Sequence, residues 1–312
     1  MIPDSKTEAL KEHGSYGHLT THDTVRRIVD HPAFKGVGGL ILPREDDSYY
    51  FETPLNQVRS LMPYHSHVNA DIVVAALNRM IDDVNAGKAV FYDFYTVKQK
   101  QEDPSKNAAG LFFYRGKPGA PFAIVCPGGG FSYVGSLHEG YPLAWEISKK
   151  GLNAFVLRYR LGEQNGTEDL AAAIAYIFRN AETLGVSRQC YSLWGGSAGA
   201  RMVGNIALNG AFRYGGEDLP APATVVIAYT GQSSYAGSFP PTFILVSADD
   251  GIANAGVVDK RVENLRNAGV EVEYRRYRTA GHGFGLGTGT DAEGWLDHAV
   301  RFWEKHFLKK PI

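Results

Sequence analysis

Three short stretches of this 312-residue chain carry residues that could do nucleophilic chemistry together. They are Gly195-Gly196-Ser197-Ala198-Gly199, Asp249-Asp250-Gly251 and Gly281-His282-Gly283. A serine hydroxyl is a poor nucleophile at neutral pH; it needs a base within hydrogen-bond reach, and that base needs a carboxylate to orient it. Serine, acid and histidine follow one another in the order expected where the nucleophile sits on a strand-to-helix turn of a parallel sheet. In a chain with 36 glycines the Gly-x-Ser-x-Gly pattern is weak alone. Its context strengthens it. The buried-strand run CYSLW leads into it and the helical pattern ARMVGNIALNG follows, so small neighbours permit a strained turn that lifts the hydroxyl above the sheet edge. The bland alternative is a glycine-rich turn with an N-capping serine.

The base is His282. Only His298 and His306 also follow the acids, and their spacing of eight in an amphipathic final stretch marks them as partly exposed surface residues. His282 instead lies in a glycine-flanked loop after a strand, where chemistry concentrates. Neighbouring residues leaving a strand point in different directions, so one of Asp249 and Asp250 faces His282 and the other caps a turn or faces solvent.

A fourth stretch, Pro127-Gly128-Gly129-Gly130, ends the apolar run FAIVC. A phosphate loop would continue to Gly-Lys-Ser/Thr, and a dinucleotide fingerprint would show an acidic residue about 20 positions on. Neither occurs. The glycines precede the serine by two strand-and-helix units, the place of a loop whose amides, with the amide after the nucleophile, hold a developing oxyanion.

These loops need a frame. From about Phe91 onward, AVFYDFYTV and AGLFFYRG form an antiparallel start, followed by the strands FAIVC, NAFVLRYR, CYSLW, TVVIAY, TFILVSA and VEYRRY. Helical patterns lie between them: HEGYPLAWEISKK, EDLAAAIAYIFRNAETL, ARMVGNIALNG and VVDKRVENLRNAG, with EGWLDHAVRFWEKHFLKK closing the chain. The alternation predicts an α/β fold with a mostly parallel, doubly wound sheet. Residues 1–88 read differently, as an N-terminal helical extension with TVRRIVDHPAF and HVNADIVVAALNRMIDDVNAG as helices; residues 89–312 form the catalytic domain.

Composition narrows the partners. A net charge of −1 offers no positive field for nucleic acid or an anionic membrane, so the expected partner is a small neutral molecule. The sequence leaves self-association open. Cys126 and Cys190 lie in apolar runs and read as two separate buried thiols of a cytoplasmic protein, and no signal-peptide or membrane-spanning run is present. His65, His67 and Asp71 in PYHSHVNAD have a spacing a metal could use, but a closed zinc site wants four ligands and no cysteine or third histidine is near, so no metal or organic cofactor is expected. Tyr49, Tyr50 and Phe51 read as packing residues.

Together PGGGF, the Tyr159–Leu161 triplet, the helix EDLAAAIAYIFRNAETLGV, LWGGSAGA, SADDG and GHGF resemble the α/β-hydrolase superfamily. The resemblance covers about residues 90–308 and is closest to the branch of hormone-sensitive-lipase-like and acetyl-xylan-esterase-like carboxylesterases. It implies Ser197 as nucleophile, His282 as base and Asp250 as the acid, from a small-x-x-Asp pattern. It also implies the amides of Gly129, Gly130 and Ala198 as oxyanion donors and acetylated sugars or other small esters as substrates, and a short acyl group fits the lack of a long apolar insertion to hold a fatty chain. Pro127 replaces the lipase-like histidine, as in the acetylesterase-like branch. A peptidase or amidase on the same triad, and a non-catalytic binding protein with the same fold, are the alternatives. The link GQSSYAGSFPP is too short for an inserted helical cap, so a cap comes from the N-terminal segment, with residues 15–85 folding over the serine and PYHSH lining the site.

Overall fold

The computed structural model describes residues 15–232, 234 and 238–307. Residues 233 and 235–237 of the GQSSYAGSFPP link, and the last residues of the closing stretch, lie outside this range.

Among the described residues eight strands form one sheet: β1 Phe91–Tyr92, β2 Gly110–Tyr114, β3 Phe122–Cys126, β4 Asn153–Arg158, β5 Ser192–Gly196, β6 Thr224–Ala228, β7 Thr242–Ser247 and β8 Val272–Tyr277. Their order is β1-β2-β4-β3-β5-β6-β7-β8. β2 runs antiparallel to β1 and β4, and all other pairs are parallel. Every residue of β3 to β7 is buried, which explains their uninterrupted apolar runs: helices cover both faces of the sheet and leave no polar side to alternate with.

Among the described residues ten α-helices accompany the sheet: α1 Val25–Val29, α2 Gly38–Ile41, α3 Ala70–Asn85, α4 Val97–Glu102, α5 Tyr141–Lys149, α6 Glu163–Arg179, α7 Ala181–Leu184, α8 Ala198–Asn209, α9 Ala255–Asn267 and α10 Trp295–Glu304. α5 packs on β4 and against α3 and α10, whereas α8 packs on β5 and β6 and against α6. None of the described helices is long and apolar enough to cross a membrane.

The chain leaves β3 for β4 on one side and returns to β5 on the other, so β3 and β5 are neighbours at a topological switch point. Cys126 pairs with Gly195 there, and the loops that leave the two strands emerge side by side. The glycine loop follows β3 and the serine turn follows β5. Sheet topology thus joins stretches that are 70 residues apart in sequence.

The N-terminal segment shares one continuous hydrophobic core with the sheet. Arg158, buried at the end of β4, donates through Nη1 to the carbonyls of Leu42 at 2.6 Å and Pro43 at 2.9 Å. Arg44 Nε donates to the carbonyl of Ser132 at 2.9 Å, and the Tyr114 hydroxyl donates to the carbonyl of Ala76. Several expectations need correction. Of AVFYDFYTV only Phe91 and Tyr92 pair as strand, because Tyr95 turns inward to donate to Asp169. Cys190 sits in the turn ahead of β5 with φ +58°, while Cys126 ends β3; both are buried and free, and burial pushes the Cys126 thiol up. His306 is buried, not surface-exposed, bonded through Nδ1 to the carbonyl of Phe302 and facing Glu271.

Candidate active site

Ser197 lies between β5 and α8 at φ 49° and ψ −111°, a conformation that costs an L-residue of order 1–3 kcal/mol. Its surroundings enforce that bend. A Cβ at Gly199 would stand 1.9 Å from the Cys126 carbonyl oxygen, and one at Gly195 would stand 2.5 Å from the Ala200 nitrogen. The Ser197 amide donates to the Ala228 carbonyl at 2.9 Å, locking the turn to the end of β6. The glycines therefore serve close backbone approach.

His282 Nε2 lies 2.9 Å from Ser197 Oγ. On the other side of the ring, Nδ1 lies 2.8 Å from Asp250 Oδ2 and 3.0 Å from Oδ1. With Asp250 a carboxylate acceptor, Nδ1 carries the proton and Nε2 is left to accept from the serine hydroxyl. The Asp250 side chain is fully buried, and its Oδ1 also accepts the amides of Ile252 and Ala253 at 2.8 and 2.7 Å. Asp249 points elsewhere. Its Oδ1 accepts the Ser247 hydroxyl and, at 2.8 Å, the amide of Gly281, so it ties down the turn that carries His282. The geometry thus separates the two adjacent aspartates that composition and spacing left as alternatives.

Gly281, Gly283 and Gly285 all have positive φ, at 70°, 60° and 53°. The histidine loop threads past the N-terminal segment there. Ser66 donates its amide to the carbonyls of His282 and Gly283, and a Cβ at Gly283 would crowd the Tyr64 carbonyl at 3.0 Å.

The glycine loop flanks the serine. Gly128 is close enough that a Cβ there would lie 3.0 Å from Ser197 Cβ, and the Gly128 carbonyl accepts the amide of Gly135. Gly129 and Gly130 have φ of 133° and 62°, and among the described residues no group accepts their amides. Gly130 and Ala198 line one cleft with Ser197 and His282, while Gly129 is buried. Pro127 stays in place through its carbonyl, which accepts the Tyr159 hydroxyl at 2.7 Å. That contact gives the Tyr159–Leu161 triplet a role in bracing the loop. The cleft is about 530 Å³ and is lined also by Phe131, Arg201, Thr230, Gln232 and Ile252.

The N-terminal helix α3 packs on α5, and among the described residues the segment 64–66 lies against the histidine and glycine loops. Tyr64 stacks on Tyr133 beside Gly130, while His65 turns inward to Glu139. Asp71 is exposed in the first turn of α3. His298 is partly exposed on α10 and meets Arg275 and Arg301 through Nδ1.

His138, buried against the same loop, faces the Gly283 carbonyl through Nε2 at 3.2 Å. Burial, helped by His65, lowers its pKa from 6.5 to about 4. Below pH 6.5 the unfolded chain takes up a proton that the folded chain refuses, so stability falls as pH drops from 6.5 toward 4. The expected slope is up to about 1.4 kcal/mol per pH unit. Urea unfolding at pH 7, 6 and 5 measures it, and His138→Gln flattens it.

No protein-family model matches the chain. It is 22% identical over 205 residues to an acetylxylan esterase of Xylanibacter ruminicola, covering 55% of this chain and 42% of that protein. It is 32% identical over 93 residues to endo-1,4-beta-xylanase B of Butyrivibrio fibrisolvens, covering 28% of this chain and 14% of that protein. The chain therefore spans less than half the length of either curated relative. An α/β hydrolase enzyme from a Medee basin deep-sea metagenome superimposes with a TM-score of 0.55 at 24% identity, covering 64% of this chain and 93% of that one. The mostly parallel sheet, its switch point and this likeness establish the α/β-hydrolase fold.

Proposed function

We propose that the chain is a serine carboxylesterase acting on small, short-acyl esters, acetylated carbohydrates among them. The observation that carries this is the contact series Ser197 Oγ to His282 Nε2 at 2.9 Å and His282 Nδ1 to Asp250 at 2.8 Å, set on a strained strand-to-helix turn. Ser197 Oγ attacks the ester carbonyl carbon as His282 Nε2 takes its proton. Asp250 orients the ring and stabilises the imidazolium. The carbonyl oxygen becomes negative and is held by the amides of Gly129, Gly130 and Ala198, each donor worth about 3 to 4 kcal/mol of barrier. Nε2–H then protonates the leaving alkoxide, an acyl-Ser197 remains, and water repeats the two steps to release the acid. No step needs a metal or organic cofactor.

The substrate class rests on the cleft and on the relatives. Arg201, Thr230 and Gln232 give the cleft a polar wall suited to a hydroxylated alcohol part. The name of the Xylanibacter ruminicola relative supports acetylated xylan-type carbohydrate as the compound class. The segment around Tyr64 and His65 forms the flank of the site that the N-terminal region contributes.

A panel of p-nitrophenyl esters from acetate to dodecanoate, run with and without a fluorophosphonate that labels Ser197, tests this. The expected result is highest kcat/KM at acetate or propionate, and loss of activity in step with labelling. Preference for long chains overturns the short-acyl assignment. Equal turnover of the matching anilides favours an amidase, and an unlabelled Ser197 with no turnover favours a binding protein.

A further inference from the structure

Beneath the glycine loop lies a buried carboxylate that the mechanism above does not use. Glu139 is 1% exposed, in the turn ahead of α5. Its Oε2 accepts the Gly128 amide at 2.5 Å. Its Oε1 accepts the Tyr229 hydroxyl at 2.8 Å and stands 3.3 Å from His65 Nε2. His65 is buried as well, with Nδ1 2.9 Å from the Tyr133 hydroxyl, which accepts the Tyr64 amide. These bonds close when Tyr133 donates to Nδ1 and His65 donates Nε2–H toward Glu139.

The carboxylate occupies the space between the two backbones that matter most. A Cβ at Gly128 would stand 2.8 Å from Oε2, and one at Gly196 would stand 2.7 Å from it. Gly128 opens the loop to Gly129 and Gly130; Gly196 precedes Ser197. Through the Tyr229 hydroxyl the same group reaches a ring whose centroid is 5.3 Å from that of His282. A buried carboxylate is costly unless its oxygens are well partnered. Burial alone would raise its pKa, but His65, the Gly128 amide and the Tyr229 hydroxyl hold it down to about 2, so it is ionised at neutral pH.

We propose that Glu139 is a positioning residue for catalysis: with His65 from the N-terminal segment as its partner, it fixes the glycine-loop amides in register with Ser197. An oxyanion hole works because its donors are aimed before the charge develops, and rotation of the Gly128 peptide would turn the amides that follow it. On this view the N-terminal segment is part of the catalytic scaffold, because His65 belongs to it. The proposal rests on Ser197 being an ester-hydrolysing nucleophile.

The test compares wild type, Glu139→Gln and Tyr229→Phe. Each is assayed for kcat and KM on p-nitrophenyl acetate, the rate of fluorophosphonate labelling, and affinity for a small boronic acid that mimics the tetrahedral intermediate. Glu139→Gln is expected to lower kcat about 100-fold with KM within twofold, and to weaken the boronic acid by a similar factor. Tyr229→Phe keeps the ring on His282 but removes one bond to Glu139, and a smaller fall in the same direction is expected. It also serves as the deciding variant should Glu139→Gln fail to fold. A wild type that is not labelled overturns the esterase reading itself. Labelled wild type with Glu139→Gln, or Tyr229→Phe in its place, matching it in kcat and boronic acid affinity overturns the positioning role alone. A rise in KM without change in kcat also overturns it, because that is loss of substrate binding and not of transition-state alignment.

Discussion

Replacing Ser197 by alanine is expected to lower kcat about a million-fold while the protein stays folded, the scale of losing the nucleophile of a Ser-His-Asp unit. In the proposed mechanism the hydroxyl oxygen becomes the acyl carrier and gives its proton to His282, whose Nε2 lies 2.9 Å away. Alanine removes that atom and keeps the Cβ, so the turn at φ 49° is neither relieved nor worsened. The amide of residue 197 still donates to Ala228, and the glycine contacts at 195 and 199 are untouched. A thermal midpoint close to that of wild type, unchanged circular dichroism and complete loss of fluorophosphonate labelling should accompany the loss of turnover. The residual rate above water, about a thousand- to ten-thousand-fold, measures what the oxyanion amides and binding do alone. A Ser197→Ala enzyme that keeps more than about one hundredth of wild-type kcat would place the chemistry on another residue.

Much of the frame was legible because burial on both faces leaves continuous apolar runs, and FAIVC, CYSLW, TVVIAY and TFILVSA each hold a strand of the sheet. The site stretches were legible for a related reason. They follow strand ends, where glycines and a single polar residue interrupt the apolar pattern. Other parts left no such mark. The helix α4 buries no residue, so it has no apolar period, and its signal was the capping box of Thr96 and Gln99. His306 reads as surface by its place in a charged stretch, yet its ring packs on Phe302 at 4.9 Å between centroids.

Glu139 and His65 were the hardest to see. They are 74 positions apart, and each looks ordinary where it stands: a glutamate ahead of an amphipathic helix, and a histidine in a loop with a second histidine nearby. What joins them is the packing of the N-terminal segment against the glycine loop, which no local period encodes. Once the backbone is known, Gly128 and Gly196 stand out as glycines that are not needed for positive φ. A glycine that is not bent to the left-handed side signals that something fills the place of its side chain, and here it is the Glu139 carboxylate.

The adjacent aspartates offer the sharpest remaining contrast. Asp250→Asn is expected to lower kcat about ten-thousand-fold, because an amide can donate toward Nδ1 and leave the wrong histidine tautomer facing Ser197. Two features raise this above a simple lost hydrogen bond. Oδ1 is already committed to the amides of Ile252 and Ala253, so the amide nitrogen of asparagine is directed to the Oδ2 position, 2.8 Å from Nδ1. The site is also buried, with His282 only 6% exposed, so water cannot readily replace the lost charge during imidazolium formation. Asp249→Asn keeps an oxygen able to accept from Gly281, and its loss is limited to about 1 kcal/mol, roughly fivefold in kcat. Steady-state kinetics of the two variants on p-nitrophenyl acetate at pH 7 and 8 should therefore differ by about three orders of magnitude. A severe Asp249→Asn with a mild Asp250→Asn would mean that the histidine takes its partner from the neighbouring carboxylate during turnover.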